Sequence, residues 1–252
     1  MAIRVRPPSS RNGSTTRRQS ITMPIRSMTY VNISPIARLL AAAFKETAIT
    51  GQFCHPYREQ YPEGMYLLFL RHLREEYMKM SPENVLLVSY AIINKKETVT
   101  GFAHWYRKRP IPLTRSWPNY LAIKAVEAYN YLESFISPNR AIDPARFAAL
   151  RGIDPFISHH WTGSRADVWH LELLGVAPKF AGRGIGGELI ARGFEKAGSE
   201  GLGCSVSAAV GTENFYRKNG FGVEAGNVKD EGGEANPFVR FGLVGGTVMF
   251  SK

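Results

Sequence analysis

Apolar positions along this chain pass from short runs to helical spacing to strict alternation, and each change of period marks an element. Residues 23–29 read as a short first strand. Residues 35–45 follow as a helix, with Ser34 as N-cap and Pro35 at the first helical position, where a missing N–H costs nothing. Leu67, Leu68, Leu70, Leu73 and Tyr77 recur at helical spacing and predict a helix over 64–80, broken by Ser81-Pro82-Glu83-Asn84. Residues 85–93 have the length and apolar content of a buried strand. Residues 94–97 form a turn, and 99–106 close an antiparallel hairpin.

Residues 107–167 are longer than a simple connection and rich in aromatics, which predicts a helical insertion capping the sheet and walling part of a pocket. Leu121, Ala125, Ala128, Tyr129, Leu132 and Phe135 give residues 121–135 an amphipathic pattern, and 145–150 form a shorter helix. His159-His160-Trp161 reads as a surface loop, because adjacent histidines do not readily share one small metal and no ligand spacing surrounds them. Residues 169–176 alternate as a strand that places His170, Glu172, Leu174 and Val176 on one face and Trp169, Leu171 and Leu173 on the other. Residues 204–209 are the next strand. Residues 221–224 and two strands within 236–250, around Gly245-Gly246, complete a mixed sheet.

A glycine cluster follows the alternating strand. Gly182-Arg183-Gly184-Ile185-Gly186-Gly187 opens a helix whose first N–H groups lack intrahelical partners and favour an anion. The run matches the dinucleotide pattern G-x-G-x-x-G, but Pro178 and its neighbours separate it from its strand, and the following strand ends without a carboxylate for a ribose. Glu188-Leu189 stand where a P-loop needs Lys and then Ser or Thr. Both readings are weak.

The whole stretch from Leu171 to Val176, then Pro178, then Gly182-Arg183-Gly184-Ile185-Gly186 resembles the coenzyme A signature of the GNAT superfamily of acetyl-CoA-dependent N-acyltransferases. Thirty residues beyond Gly186, Tyr216 to Phe221 is similar to the family's second hallmark, Tyr-x-x-x-Gly-Phe. The resemblance implies an α/β fold with a mixed central sheet flanked by helices, in one domain over residues 23–252 with the insertion at 107–167. It implies acetyl-CoA as co-substrate, no metal, and direct attack by an amine in a ternary complex. Coenzyme A would be held by Leu174, Gly175, Val176, Ala181, Gly182, Arg183, Gly184, Ile185, Gly186 and Gly187. The Leu174 N–H would face the thioester carbonyl, Gly175 would let the pantetheine lie close, and the Ala181 N–H would meet the pyrophosphate.

Amine acetylation needs a base, since an alkylammonium with a pKa near ~10.4 cannot attack a thioester. His170 and Glu172 share a face of the central strand, and either can serve. Tyr216 resembles the family tyrosine that protonates the departing thiolate. Two positions depart from the family pattern: Ala181 lacks a long side chain, and Ala209 replaces Asn or Ser seven residues before Tyr216.

Composition changes the picture little. At 252 residues and 44% hydrophobic content the chain is globular, with no apolar run long enough for a membrane span. Two distant cysteines, Cys54 and Cys204, argue against a disulfide framework and suit a reducing compartment. Of the net charge of +11, +8 precedes the first acid, Glu46, so the body is only mildly basic and nucleic-acid binding is disfavoured. Residues 1–22 are Arg- and Ser-rich and read as a disordered basic tail. A cytoplasmic location is expected; the acid-free leader is the argument for a mitochondrial one, which Pro7 and Pro8 weaken. The acceptor expected is a small-molecule amine. A non-catalytic acyl-CoA-binding module, or an anionic-surface binder acting through the tail, is the alternative. Oligomeric state and the size of the acyl group stay open.

Overall fold

The computed structural model describes residues 23–79, 81–111 and 116–251. The tail expected over 1–22 lies outside them. Seven strands form one sheet: β1 (Ile25–Ser27), β2 (Asn84–Ile93), β3 (Lys96–Lys108), β4 (Val168–Val176), β5 (Gly203–Ala208), β6 (Val223–Asn227) and β7 (Thr247–Phe250). Their order is β1-β2-β3-β4-β5-β7-β6, with β4 and β5 parallel and every other pair antiparallel. The mixed α/β sheet expected from the sequence is therefore present.

The β2–β3 hairpin turns on two residues, Asn94 and Lys95, both at positive φ (51° and 62°), so Lys96 and Glu97 already belong to β3. This backbone matches the right-handed twist of the flanking strands. The first helix, α1 (Ile33–Phe44), begins two residues before the expected start, with Asn32 rather than Ser34 at its N-cap. Asn32 Oδ1 accepts from the Thr29 N–H at 3.0 Å and hydroxyl at 2.8 Å, which winds a 3₁₀ turn straight into the helix. Ser34 Oγ instead meets the Tyr66 hydroxyl at 3.1 Å.

Helices α1 and α2 (Glu63–Met78) pack together, and α1 lies on one face of the sheet while α6 (Ile185–Ser199) lies on the other. Two glycines on opposite faces make room. A Cβ on Gly175 would stand 2.7 Å from Leu40 of α1, and one on Gly101 would stand 2.7 Å from Ile185 of α6. Gly175 thus serves helix packing. On the α6 side the fully buried Trp105 stacks on Phe221 and meets Phe194 edge-on. A Cβ on Gly193 would lie 2.1 Å from its ring. Gly193→Ala should therefore cost about 1–3 kcal/mol through overpacking. Scanning calorimetry should show a melting temperature lower by several degrees; an unchanged value would remove Trp105 as the reason for this glycine.

The insertion contains α3 (Trp117–Ile136), α4 (Pro144–Arg151) and α5 (Asp154–Ile157). The apolar face expected to be core, Leu121, Ala125, Ala128, Tyr129, Leu132 and Phe135, is exposed. α3 packs on α2 through its other face, by Ile123 and by polar contacts. Arg71 and Arg74 reach Glu133 at 3.1 and 2.9 Å, and Asn130 donates to the Arg71 carbonyl at 3.1 Å. The rest of the insertion does cover the sheet: Ile157 and Trp161 join a second apolar cluster with Val168, Val228, Phe238, Val248 and Phe250. Residues 236–243 are not the expected strand. Asn236 Oδ1 accepts from the Phe238 N–H at 2.9 Å and, with Pro237 next, starts the short α8 (Pro237–Arg240). Among the described residues no helix is long and apolar enough to cross a membrane.

Candidate active site

β4 and β5 pair only from Val168↔Gly203 to Leu171↔Val206. Beyond that pair β4 runs on to Val176 with its β5-facing edge unpaired, and the sheet opens. A β-bulge lies at the same place. Trp105 pairs with Leu171 and His104 with Leu173, which leaves Glu172 as the extra residue. The bulge resets the alternation, so the expected face assignment is corrected. His170, Glu172 and Leu173 share the face of α1 with His104 and Tyr106. Leu174 and Val176 turn to the α6 side with Trp169 and Leu171. A residue inserted on one strand reverses the facing of everything after it.

The opening leads into an exposed loop. Pro178–Phe180 form a 3₁₀ turn closed by the Ala181 N–H on the Pro178 carbonyl at 3.2 Å, so this N–H is already engaged rather than free for a phosphate as expected. The N–H groups of Gly182, Arg183 and Gly184 have no backbone partner among the described residues. Gly182 and Gly184 have φ of 74° and 85°, and a Cβ on either would meet nothing within 4 Å. Gly184 is the N-cap of α6, whose first N–H groups, on Ile185, Gly186 and Gly187, point out of the helix end. Lys179 and Arg183 stand over the buried Phe180 ring at 5.2 Å each, keeping two cations beside these donors. Gly186 and Gly187 serve a second purpose, the approach of α7 (Glu213–Lys218). Their Cβ atoms would lie 3.1 Å from Phe215 and 2.7 Å from Asn219 Oδ1.

Through that contact α7 brings Tyr216 to the α6 side of the opening. The ring is held edge-on by Phe215 and Phe221 at 5.2 and 5.7 Å between centroids. Burial pushes the phenol pKa up to about 12, so the hydroxyl keeps its proton at neutral pH.

On the other face His170 and Glu172 stand 3.7 Å apart, Nε2 to Oε2. His170 is buried, and this, with Lys108 nearby, pushes its pKa down to about 3. Trp161 Nε1 donates to Ser205 Oγ at 3.0 Å, which leaves the Ser205 proton for His170 Nδ1 at 2.9 Å. The chain of bonds assigns the imidazole proton to Nε2, facing Glu172. The Glu172 side chain retains 43% of its surface, yet the protein around it raises the carboxyl pKa by desolvation, and the Glu76 carboxylate adds to the rise. Of the two base candidates, Glu172 is the one whose proton affinity is raised, whereas that of His170 is lowered, and its side chain is the one open to a substrate.

Several residues around this pair escaped the sequence reading. Tyr106 lies 5.3 Å from His170, its pKa raised by burial and by Glu172. Lys108 sits over the Trp161 ring at 3.9 Å, its pKa lowered by burial. His104 Nε2 reaches Asn84 Oδ1 at 2.7 Å and Glu76 Oε2 at 3.5 Å. The alternation of His104, Tyr106 and Lys108 on β3 was the available signal. Trp161 is buried beneath an exposed 3₁₀ turn (Ser158–His160) rather than lying in a surface loop with it, and His159 and His160 converge on Glu231 Oε1 at 2.8 and 3.4 Å. The three side chains offer ligand atoms within 4.8 Å of one another, with Glu231 supplied from a part of the chain that local ligand spacing did not reach.

Residues 148–223 match the sequence model of a family described as an acetyltransferase (GNAT) domain. No curated protein matches the chain by sequence. Its fold is similar to a Corynebacterium glutamicum structure described as histone acetyltransferase HPA2 and related acetyltransferase, at 15% identity and a TM-score of 0.54, over 92% of this chain and 96% of that one. It is also similar to arylalkylamine N-acetyltransferase 2 from Aedes aegypti, at 14% identity and a TM-score of 0.50, over 90% and 97% of the two chains.

Proposed function

Given that residues 148–223 carry a GNAT acetyltransferase domain, and with it acyl-CoA-dependent N-acyltransfer, we propose that residues 23–252 act as one enzyme moving acetyl from acetyl-CoA to a small-molecule amine. The observation that carries this reading is the opening of β4 from β5 beyond Leu171, leading directly to the unpartnered N–H groups of Gly182 to Gly184. Those donors, with the α6 N-terminus and the Lys179 and Arg183 charges, suit a pyrophosphate. The unpaired β4 edge suits the amide-bearing pantetheine arm, with the Leu174 N–H as donor to the thioester oxygen.

The roles of the side chains follow from their protonation states. Glu172 takes a proton from the acceptor ammonium, and the freed nitrogen attacks the thioester carbon. The C–N bond forms, the C–S bond breaks, and the departing sulfur takes its proton from the Tyr216 hydroxyl; the second proton that the nitrogen sheds on becoming an amide restores the phenol through solvent, and Glu172 returns its own proton to solvent. His170, neutral and donating from Nε2, orients the carboxylate directly or through a water. The acceptor we favour is an arylalkylamine or another hydrophobic amine. Tyr106 and Trp161, at 5.3 and 5.6 Å from His170, supply aromatic walls, and one structure of similar fold is described by that activity.

Free-thiol release from acetyl-CoA with a panel of arylalkylamines, polyamines and lysine peptides, with products weighed by mass spectrometry, tests the reading. Acetylated aromatic amine is the expected product. Tight coenzyme A binding with no turnover on any amine would replace it with a binding module. The donor site has its own test in Gly184→Val. A β-branched residue is strained at φ 85° and fills the space above the loop donors. Calorimetry should show coenzyme A affinity lower by about tenfold or more, as loss of one charge-assisted contact predicts. Unchanged affinity in a folded variant would move the pyrophosphate elsewhere.

A further inference from the structure

α3 is an outer layer, resting on α2 and presenting its opposite side to solvent. Trp117, Leu121, Leu132, Phe135 and Ile136 on that side are 49–86% exposed, a large apolar surface for a helix with no partner there among the described residues. With 3.6 residues per turn, Leu121, Ala125, Ala128, Leu132 and Phe135 fall on one stripe.

The stripe is symmetric about the point between Val126 and Glu127. Leu121 mirrors Leu132, Ala125 mirrors Ala128, and Trp117 mirrors Ile136. We propose that α3 is the interface of a two-fold homodimer, packing antiparallel on α3 of a second copy. A two-fold axis through that midpoint sets Leu121 of each copy against Leu132 of the other, and the two small alanines against each other, where the helices approach most closely. Residue i contacts j and j contacts i, the self-complementarity that a two-fold interface requires.

Charge agrees with this arrangement. Lys124, at the edge of the stripe, and Glu127, half-buried further round toward α2, are paired within one helix at 2.6 Å and bracket the midpoint. In the antiparallel dimer this edge faces itself reversed, so each lysine lies within about 3 Å axially of the other copy's carboxylate. Size agrees too. Trp117, Leu121, Leu132, Phe135 and Ile136 are still 49–86% exposed, and with about 150–250 Å² for a whole aromatic side chain they offer several hundred Å² per partner, on the order of the ~800 Å² of a standard interface.

Sedimentation of the full chain should show a concentration-dependent dimer. Leu132→Glu, at an exposed position remote from the site, should sediment as a monomer with unchanged melting temperature and unchanged coenzyme A binding. Orientation is read by cysteine crosslinking, for which the native Cys54 and Cys204 are buried. Leu121→Cys alone should not crosslink, since the two copies of that position would lie about 16 Å apart along the axis. Mixed with Leu132→Cys it should give the heterodimeric disulfide. A wild-type monomer at ~100 µM, a dimer that survives Leu132→Glu, or self-crosslinking of Leu121→Cys would each overturn the proposal. So would a monomer that floats with neutral phosphatidylcholine vesicles, which would assign the stripe to a lipid surface.

Discussion

Replacing Glu172 by Gln is expected to lower kcat/KM for the amine by ~10²–10⁴-fold, the range of general acid–base catalysis. The substitution keeps size and hydrogen bonding and removes only the capacity to accept a proton. Part of the loss should return at high pH, where solvent deprotonates the amine. The pH profile separates Glu172 from His170. Burial and Glu76 raise the carboxyl pKa, so the unprotonated base is lost as pH falls, at a pH above the ordinary carboxylate range. His170, pushed down to about 3, stays neutral across this window and contributes no limb of its own. Glu172→Gln should therefore erase the acid limb of kcat, while His170→Gln should lower kcat and leave the limb in place. A limb that survives in Glu172→Gln would assign the base elsewhere.

Tyr216→Phe is expected to reduce kcat by roughly 10- to 10³-fold, with KM for acetyl-CoA within a few-fold of the parent. The ring keeps its edge contacts with Phe215 and Phe221, so packing is preserved and only the proton donor is lost. A thiolate leaves tolerably well without a proton, its conjugate thiol having a pKa near ~8.5, so the effect should fall short of that of the missing base. An interaction made mainly in the transition state shows in kcat rather than KM. Normal turnover by the Phe variant would make Tyr216 a packing residue and leave protonation of the sulfur to water.

These two side chains stand on opposite faces of the sheet, and the proposed reaction would join them through the gap where β4 and β5 separate. Burial moves both pKa values up: it increases the proton affinity of the Glu172 carboxyl, and it keeps the Tyr216 phenol in the protonated form a donor needs. The same burial disables His170 as a base while leaving it a donor toward Glu172.

The sequence by itself determined what depends on neighbours a few residues away. The hairpin follows from two apolar runs with the polar residues 94–97 between them, of which the structure leaves only Asn94 and Lys95 in the turn. The exposed loop and helix start at Gly182 to Ile185 follow from a glycine cluster standing just ahead of a helix. The strand carrying His170 and Glu172 was legible from its alternation. Only the tertiary structure decided what depends on a partner. The bulge at Glu172 exists because β4 must keep register with β3 on both sides of it, and it turns Leu174 and Val176 away from the face that alternation assigned. The roles of Gly175 and Gly193 are set by Leu40 and Trp105, which come from other elements. The apolar stripe of α3 had the period of a core helix, but Arg71, Arg74 and Asn130 bind its polar side to α2 and leave the stripe outside. Periodicity says that a helix has an apolar side; which side meets the rest of the chain is decided by where the hydrogen bonds and ion pairs of its neighbours can be satisfied.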